Sequence, residues 1–590
     1  MSTRAFRTKA TENTTFYAPV FGTRGAVASH HYLSADAGVA ILKSGGNAID
    51  SAVAAALVEG VVNPQMHTVG GECPMLIRTA ADSRVYVING NTMSPEHATP
   101  DAFRNRGLTN VPEEGVLAAG VPAALGAYVT AIIHFGKLPF TAVSEPAREL
   151  LKQGFPAHRG LINQERFGIR DLADKFRRQW PGSAALYLPN DRLPKEGDVI
   201  RNPQLAAMFE HLCDLERTAG PGRKEGLQAV FDGFYRGDVA SELIKHTQAH
   251  DGLLARSDLA RFETKVESPV KLSFDESVLF KCGFWNQGPV VLQTLAILVH
   301  WDLAALGHNS AEYLHLLIEA TKLAYADRDQ YYGDPLRVDV PAENLLSKQY
   351  AKLRSELIDL SHANPELRSG DPRGLEALLA YQQRLGGAVW GPGTVHVDVI
   401  DRDGNMVAAT ASGGWIKSSE VIPALGFPLG NRLMTFYLEP SHHPNVVAPF
   451  KQPRTTISPS LALRRGMPWM VFGSMGGDQQ DQWQLQFFLN RLVFGMGVQE
   501  AIEAPKFSSE HFPGFFAPHN RFPNRVRIEP RVGDAVVREL NRRGHSVEVA
   551  ADWSEGYLLC AARRTDGVLE AGCDPRGAKG EIFPACARAL

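Results

Sequence analysis

The chain has little of what marks an exported, membrane-spanning or metal-dependent protein. Its 590 residues include six cysteines, none of them in a C-x-x-C pair. This scarcity argues against a zinc site or a disulfide framework and favours reduced thiols in a cytoplasm. No run of about 18 apolar residues occurs, so we expect no membrane span. The N-terminal stretch, Met1 to Ala10, lacks an apolar segment, so we expect no signal peptide.

The chain also has no strong excess of charge of either sign. Its formal net charge is −3, with 21% charged and 44% hydrophobic residues. Nothing in this balance favours a nucleic acid or an anionic membrane surface as a partner. The composition is that of an ordinary globular protein, and the length predicts two to four domains. The chemistry that we infer below from the side chains needs no metal and no organic cofactor.

The most informative stretch is a predicted β-hairpin in the second half of the chain. Residues 394–400 are rich in β-branched side chains and read as a strand, and residues 406–412 read as its returning partner. Between them, Asp403-Gly404-Asn405 supplies residues that tolerate positive φ. A five-residue loop over 401–405 would place Thr394 opposite Ser412. The pattern thus predicts that the hydroxyl at the first residue of one strand lies beside a hydroxyl on the neighbouring strand.

A threonine at this position fits one particular chemistry. A threonine hydroxyl needs a base within hydrogen-bond reach before it acts as a nucleophile. If the chain is cut between Gly393 and Thr394, the new α-amine is that base, with an ordinary pKa of about 7.7–8.0. Gly393 would permit the strained backbone that self-cleavage requires. The alternative is that Thr394 is simply a β-branched residue that begins a strand.

The chain resembles the γ-glutamyltransferase (γ-glutamyltranspeptidase) family of N-terminal-nucleophile hydrolases from about Gly25 to Gly577. No single motif is diagnostic, but their number, order and spacing are specific together. In the first half they are Gly45-Gly-Asn-Ala-Ile-Asp-Ser-Ala-Val-Ala-Ala-Ala56, Val69-Gly-Gly71, Gly120-Val-Pro122, Ala324-Tyr-Ala-Asp-Arg328 and Tyr332-Gly-Asp-Pro335. In the second half they are Gly393-Thr-Val-His396, Asp403-Gly-Asn405, Ile457-Ser-Pro459, Gly473-Ser-Met-Gly-Gly477 and Asp574-Pro-Arg576.

The resemblance implies a zymogen that cuts itself before Thr394. Residues 1–393 would form a large subunit and residues 394–590 a small catalytic subunit. The two would remain together as an intertwined heterodimer, and a dimer of such heterodimers is left open. The fold it implies is α+β, an αββα four-layer sandwich. The residues alone point the same way, because a helix-rich first half and a strand-rich second half predict stacked antiparallel sheets covered by helices.

The resemblance also assigns roles to the residues around the nucleophile. Ser412 would orient Thr394, and the backbone N–H groups of Gly476 and Gly477 would form the oxyanion hole, where glycine permits close approach. Thr455 and Thr456 stand where the family has a serine pair that holds the substrate carboxylate. His396 lies on the same strand face as Thr394, and we expect it to be structural.

Three positions depart from the glutamyl-binding pattern of the family. Asn91 replaces an arginine that grips the α-carboxylate, and an amide lacks the charged fork of a guanidinium. Thr435 replaces an acidic residue that holds the substrate ammonium. Arg432 replaces a neutral amide and favours a substrate carboxylate or another anion.

Three functions follow from these observations. The first is an autoprocessing threonine-nucleophile amide hydrolase or acyltransferase that acts on γ-glutamyl compounds such as glutathione. The second is a relative that hydrolyses another small-molecule amide, such as oxamate or an acylated amine. The third is a non-catalytic binding protein, against which the retained Gly393-Thr394 and the glycine loop argue.

Two further stretches carry predictions about structure alone. Residues 310–330 have apolar side chains at helical spacing, and we expect Asp327 and Arg328 in this helix to form a buried structural ion pair. The polar segment from His362 to Arg373 reads as an exposed linker that leads to the cut site.

Overall fold

The computed structural model describes residues 15–379, 393–579 and 582–590. One of the expectations above, the lack of a signal peptide in the stretch from Met1 to Ala10, falls on residues outside these ranges.

Most of the strands belong to two large sheets, and the others form two small ones. In chain order the strands are β1 (Val20–Gly22), β2 (Gly25–Ser29), β3 (Met75–Arg78), β4 (Val85–Asn89), β5 (Phe155–Pro156), β6 (Val199–Ile200), β7 (Lys265–Glu267), β8 (Val270–Phe274), β9 (Ser277–Lys281), β10 (Thr394–Asp401), β11 (Met406–Ser412), β12 (Ser460–Arg464), β13 (Met467–Ser474), β14 (Phe507–Ser509), β15 (Arg525–Ile528), β16 (Ser546–Val549), β17 (Leu558–Arg563), β18 (Leu569–Cys573) and β19 (Cys586–Ala589).

Helices are concentrated in the first half of the chain. They are α1 (Tyr32–Lys43), α2 (Ala48–Val62), α3 (Pro100–Arg104), α4 (Ala124–Phe135), α5 (Phe140–Val143), α6 (Glu145–Gln153), α7 (Arg159–Asn163), α8 (Ile169–Gln179), α9 (Pro181–Tyr187), α10 (Pro203–Thr218), α11 (Arg223–Tyr235), α12 (Asp238–Ala249), α13 (Arg256–Arg261), α14 (Pro289–Leu298), α15 (Leu303–Leu306), α16 (Ala311–Tyr331), α17 (Ala342–Leu345), α18 (Lys348–Ser355), α19 (Gln479–Leu492), α20 (Val498–Glu503), α21 (Asp534–Arg542) and α22 (Arg576–Lys579). Short 3₁₀ turns cover Val116–Ala118, Pro189–Asp191, Arg432–Thr435 and Pro530–Val532.

Each of the two large sheets has seven strands within the described residues. One has the order β19-β2-β10-β11-β3-β4-β7, and the other has the order β1-β18-β17-β13-β12-β9-β8. Neighbouring strands in both are antiparallel. Strands from both sides of Gly393 occur in each sheet, so the two parts of the chain share one core.

The sheets stack face to face and helices cover their outer faces. Strand β10 packs on β13 and β17 of the opposite sheet, whereas α1 and α2 lie on the other face of the β10 sheet. Helices α14, α19 and α20 cover the outer face of the β13 sheet. An apolar cluster that includes Ile400, Met406 and Val471 fills the space between the sheets. The predicted αββα sandwich is therefore confirmed.

The central hairpin has the predicted register. Ile400 is opposite Met406, and Thr394 is opposite Ser412. Gly404 in the loop has φ of 87°, where a side chain would be strained. The Asp401 carboxylate closes the loop by accepting from the backbone N–H groups of Asp403 and Asn405, each at 3.0 Å. It also accepts from the N–H of Ala48, which ties the hairpin to the start of α2.

Two structural expectations need correction. Asp327 and Arg328 are both buried on α16, but they do not pair with each other: Asp327 pairs with Arg354 at 3.2 Å and Arg328 pairs with Asp478. The 362–373 segment is not exposed throughout, because Leu367 and the three residues after it are buried. Arg368 in this segment forms an ion pair with Glu319 of α16 at 3.0 Å. A composition-based prediction of exposure cannot anticipate that buried partner.

The described helices include none that is both long and apolar enough to cross a membrane. The six cysteines are all unpaired in the structure, and five of them are buried.

Candidate active site

The hydroxyl pair of Thr394 and Ser412 forms the centre of the site. Both side chains are buried, and Thr394 Oγ1 donates to Ser412 Oγ at 3.2 Å. In β10, Val395, Val397 and Val399 face the helices, so Thr394 points toward the space between the sheets. The antiparallel register therefore places the two hydroxyls together, as the hairpin pattern predicts.

The carbonyl of Gly393 lies directly beside this pair. Its oxygen accepts hydrogen bonds from Ser412 Oγ and from the indole Nε1 of Trp415, the latter at 2.7 Å. The expectation that Gly393 permits a strained backbone during self-cleavage stays a prediction. The structure shows a steric reason for glycine at this position: a Cβ on Gly393 would lie 2.8 Å from the rings of both Phe167 and Trp415.

Arg432 contacts the hydroxyl pair from the other side. Its Nη2 donates to Ser412 Oγ at 2.9 Å, and its Nε donates to Glu72 Oε1 at 2.8 Å. Arg432 and Glu72 are both buried. Burial raises the pKa of the Glu72 carboxyl, and the adjacent guanidinium opposes that rise. Within the described residues Arg432 Nη1 makes no hydrogen bond, so this N–H group remains available for a ligand.

A second buried cation lies on the same aromatic wall. Lys417 Nζ is 4.3 Å from the ring centre of Phe167 and 5.9 Å from that of Trp415. The Arg432 guanidinium lies 5.4 Å from the Trp415 ring, so two cations flank one indole. Burial lowers the pKa of the Lys417 ammonium to about 8. No acidic side chain of the described chain forms a salt bridge with Lys417.

The glycine loop follows β13 and precedes α19. Gly476 has φ of 120° and Gly477 has φ of 59°, and a Cβ on Gly476 would lie 2.5 Å from the Trp483 ring. Glycine is therefore required at position 476 for space as well as for conformation. Asp478 anchors the loop because its carboxylate forms an ion pair with Arg328. The carboxylate also accepts a hydrogen bond from the backbone N–H of Phe515 at 2.7 Å. Phe515 lies 5.9 Å from the Arg432 guanidinium, which joins the loop to the site.

The predicted threonine pair adjoins the glycine loop. With its side-chain amide oriented to satisfy both atoms, Gln480 accepts from the N–H of Gly477 at 3.3 Å and donates to the carbonyl of Thr456 at 3.2 Å. Thr455 is buried, and its hydroxyl accepts from the N–H of Ile457 at 3.3 Å. An oxyanion would compete with Gln480 for the Gly477 N–H. The predicted roles of these groups remain predictions.

The other two substituted glutamyl-site positions, Asn91 and Thr435, make hydrogen bonds to the protein itself. Asn91 donates through Nδ2 to the carbonyl of Pro453 at 2.7 Å, and its buried Oδ1 has no partner in the described structure. The Thr435 hydroxyl donates to the carbonyl of Arg432 at 2.8 Å and supports the turn that carries the arginine. A contact of either residue with substrate is a prediction that this geometry leaves open.

His396 has a structural environment. It is fully buried, with Nδ1 2.8 Å from Thr410 Oγ1 and Nε2 2.9 Å from Asp398 Oδ1. Burial lowers the pKa of His396 to about 3 and raises that of Asp398 well above its usual range. The ring is fully buried and both of its nitrogens have partners within the protein, so it is not an accessible base.

Sequence reasoning missed Glu72, Trp415, Lys417 and Phe167 as members of the site. Glu72 follows the Val69-Gly-Gly71 motif, and its backbone N–H donates to the carbonyl of Ser412 at 2.8 Å. Trp415 and Lys417 lie three and five residues after Ser412, so their closeness to the hydroxyl pair in sequence was a usable signal. Nothing in the sequence connects Phe167 to Gly393.

The structure has two stacked antiparallel sheets with helices on both outer faces, and a buried threonine begins a central strand. These features define the class of N-terminal-nucleophile hydrolases. The chain belongs to the gamma-glutamyltranspeptidase family within that class, because the family model matches residues 34–583. The family resemblance of the motifs is therefore confirmed.

Individual relatives cover nearly the whole chain. The glutathione hydrolase-like YwrD proenzyme of Bacillus subtilis (strain 168) is 30% identical over 567 residues, which are 95% of this chain and 98% of that protein. The solved structure of LmbA2991HD has 38% identity and a TM-score of 0.90, covering 97% of this chain and 99% of its own. Cephalosporin acylase from Bacillus halodurans has 26% identity and a TM-score of 0.83, covering 100% and 99%.

Further relatives carry the names glutathione hydrolase proenzyme, acylase ACY 1 proenzyme and oxamate amidohydrolase proenzyme. The chain is accordingly an enzyme of the amide hydrolase and acyltransferase type, and both the glutamyl and the acylase alternatives lie within its family.

Proposed function

We propose that the chain cuts itself between Gly393 and Thr394 and then uses Thr394 as the nucleophile of an amide hydrolase. The observation that carries this proposal is the contact of Thr394 Oγ1 with Ser412 Oγ, beside the Gly393 carbonyl. Cleavage would free the α-amine of Thr394, which is the base that the hydroxyl needs. Relatives named as proenzymes support the processing step.

In turnover, Thr394 Oγ attacks the amide carbonyl of the substrate while the α-amine takes its proton. The N–H groups of Gly476 and Gly477 stabilise the oxyanion, and the amine product leaves with the proton. Water or an acceptor amine then attacks the acyl-enzyme ester and releases the acyl group. Ser412 and Arg432 orient the nucleophile throughout. These steps need no metal and no organic cofactor.

Intact mass with N-terminal sequencing tests the processing step. We expect the purified wild type to consist of two chains, the second beginning at Thr394, and the Thr394→Ala variant to remain whole. Thr394→Ser is the matched control, because it keeps a hydroxyl and should still be processed. A folded wild type that remains a single chain would contradict the proposal. The protein would then be a dormant precursor or a binding protein.

We further propose that the acyl group of the substrate carries an anion and lacks a free ammonium. Arg432 and Lys417 both lie near the Trp415 ring, and together with Glu72, the salt-bridge partner of Arg432, they carry a net charge of +1. A buried positive charge without a salt-bridge partner is costly, and a substrate carboxylate would neutralise it. A γ-glutamyl group brings its own ammonium into this pocket, where Thr435 supplies no negative charge to receive it.

A matched pair of substrates tests this specificity. Glutaryl-p-nitroanilide and γ-glutamyl-p-nitroanilide differ only in the α-ammonium group. We expect kcat/KM for the glutaryl compound to be higher by about tenfold or more, a factor that corresponds to ~1.4 kcal/mol. Oxamate is the small test case of the same class. Faster release from the γ-glutamyl compound would instead support the second candidate, a glutathione hydrolase, which the names of several relatives favour.

Two further properties belong to this proposal. The unpaired cysteines support a reducing compartment such as the cytoplasm. The sheets shared by residues on both sides of Gly393 support a permanent heterodimer of the two fragments. Whether two heterodimers associate is a question for sedimentation analysis.

A further inference from the structure

We infer that the chain has a separate oxyanion site for its own cleavage, formed by the indole N–H of Trp415 and the hydroxyl of Ser412. This inference rests on the proposed self-cleavage before Thr394. The site differs from the glycine loop, which would serve substrates. Its target is the carbonyl oxygen of Gly393, the oxygen that becomes negative when Thr394 attacks.

The two donors already bind that oxygen in the uncut chain. Trp415 Nε1 lies 2.7 Å from Gly393 O, and Ser412 Oγ donates to the same atom. Donors aimed at a developing oxyanion are worth most when they are fixed before the reaction and shielded from water. Trp415 and Ser412 are both almost completely buried. The carbonyl is thus polarised in advance by two fixed groups.

The position of the indole is set by its surroundings. Its Nε1 also donates to the carbonyl of Met66 at 2.9 Å, and its ring meets Phe167 edge to face at 5.4 Å. The Arg432 guanidinium lies 5.4 Å from the same ring. The ring leaves no room for a Cβ at Gly393. The glycine before the cut therefore allows the indole to approach the carbonyl.

Arg432 strengthens Ser412 as a hydrogen-bond donor. The serine oxygen accepts from Thr394 Oγ1 and from Arg432 Nη2, and it donates to Gly393 O. A neighbouring cation makes the serine O–H a stronger donor. The hydrogen-bond chain therefore runs from the nucleophile through Ser412 to the carbonyl under attack.

The reaction balances without any added reagent except water. Thr394 Oγ bonds to the Gly393 carbonyl carbon, and the electron pair of the C=O bond moves to the oxygen held by Trp415 and Ser412. The carbonyl re-forms as the C–N bond breaks, and the threonine hydroxyl proton goes to the departing nitrogen. This gives an ester between Gly393 and Thr394 Oγ. Water then hydrolyses the ester to the Gly393 carboxylate and the free threonine hydroxyl.

Removal of the N–H group from the indole tests the inference. Trp415→Phe keeps an aromatic ring but loses the donor, so we expect self-cleavage of the full chain to slow by about 100-fold. Trp285→Phe is the matched control: Trp285 is equally buried, but its Nε1 donates to Glu267 at 2.9 Å. The measurement is the fraction of uncut chain over time after purification, by intact mass.

Replacement of Trp415 with 3-benzothienylalanine, in which sulfur replaces N–H, removes the donor at nearly constant shape. This variant tests the inference if the Trp415→Phe protein does not fold. Slow cleavage in this folded variant supports the inference, and cleavage at the wild-type rate overturns it. If Thr394→Ala stays whole while both Trp415 variants are cut normally, only the inference fails. If the folded wild type is never cut, the proposed function fails with it.

Discussion

At the scale of single residues, the site is defined by buried charges rather than by its hydroxyl groups alone. Thr394 and Ser412 are common residue types, and many strands begin with a threonine. What distinguishes this pair is Arg432, which bonds Ser412 on one side and Glu72 on the other. Lys417 adds a second cation that no carboxylate of the described chain pairs with directly. These two cations are the basis of the proposal that the acyl group of the substrate carries an anion.

The titration of Lys417 yields a prediction for substrate binding. Because burial lowers its pKa to about 8, the side chain is charged below that pH and neutral above it. We expect KM for glutaryl-p-nitroanilide to rise by about tenfold as pH passes from 7 to 9.5, since the anion loses one attractive charge. Titration of the α-amine, whose ordinary pKa is about 7.7–8.0, should be seen mainly in kcat.

Substitution of the lysine checks the cause of this pH dependence. Lys417→Met should have a high KM already at pH 7 and should lose the rise above pH 8. Lys245→Met, at an exposed lysine, should behave as the wild type. A Lys417→Met enzyme with an unchanged KM profile would show that the lysine does not contact the substrate region.

At the scale of elements, the hairpin β10–β11 positions the site because both of its faces are constrained. Alternate residues of β10 face the helices and the opposite sheet, so a shift of one residue would bury the wrong face. Between the sheets, the His396 ring lies against β13 at Gly473. A Cβ on Gly473 would be 2.3 Å from the His396 ring. Because Gly473 has no side chain, the two sheets can pack closely with the His396 ring between them.

Gly473→Ala should therefore destabilise the protein. The His396 ring is held by Thr410 and Asp398 and cannot move without breaking those hydrogen bonds. We expect a loss of about 1–3 kcal/mol, typical of overpacking, seen as a lower urea midpoint of unfolding.

Gly60→Ala is the control for this prediction. It adds a methyl group in buried helix α2, where the nearest atoms are 3.6 Å away. The helix propensity of alanine should leave the midpoint unchanged or raise it. An unchanged midpoint for Gly473→Ala would mean that the sheets can separate locally at little cost.

At the scale of the whole molecule, the predicted cut falls inside a shared core. After cleavage at Gly393, β10 and β11 would still be paired with β2 and β3 of the other fragment. In the opposite sheet, β12 pairs with β9 and β18 pairs with β1 across the same divide. Separation of the fragments would expose strand edges and both apolar layers.

We expect the two fragments to co-elute in size-exclusion chromatography after processing and to separate only in denaturant. Thr394→Ala should elute at the same volume as one uncut chain. Two peaks from the native processed protein, corresponding to residues 1–393 and 394–590, would contradict this expectation.

Local pattern was enough to predict much of the fold and part of the site. The alternation of β-branched residues and the Asp403-Gly404-Asn405 turn were sufficient for the hairpin and its register, since a strand repeats every two residues and the loop length sets the pairing. The helix at Ala311–Tyr331 also follows from spacing alone. These features depend on neighbours in sequence.

Only the tertiary structure decided which distant residues meet at Thr394. Glu72 is paired with Arg432, and Phe167 and Trp415 pack on Gly393. Hundreds of residues separate Glu72 from Arg432 and Phe167 from Gly393 in the sequence. The tertiary structure also decided the partners of Asp327 and Arg328, which are adjacent in sequence but pair with different residues. The physical reason is that a buried charged side chain pairs with the oppositely charged group that packing places nearest to it. Packing in turn depends on the whole core.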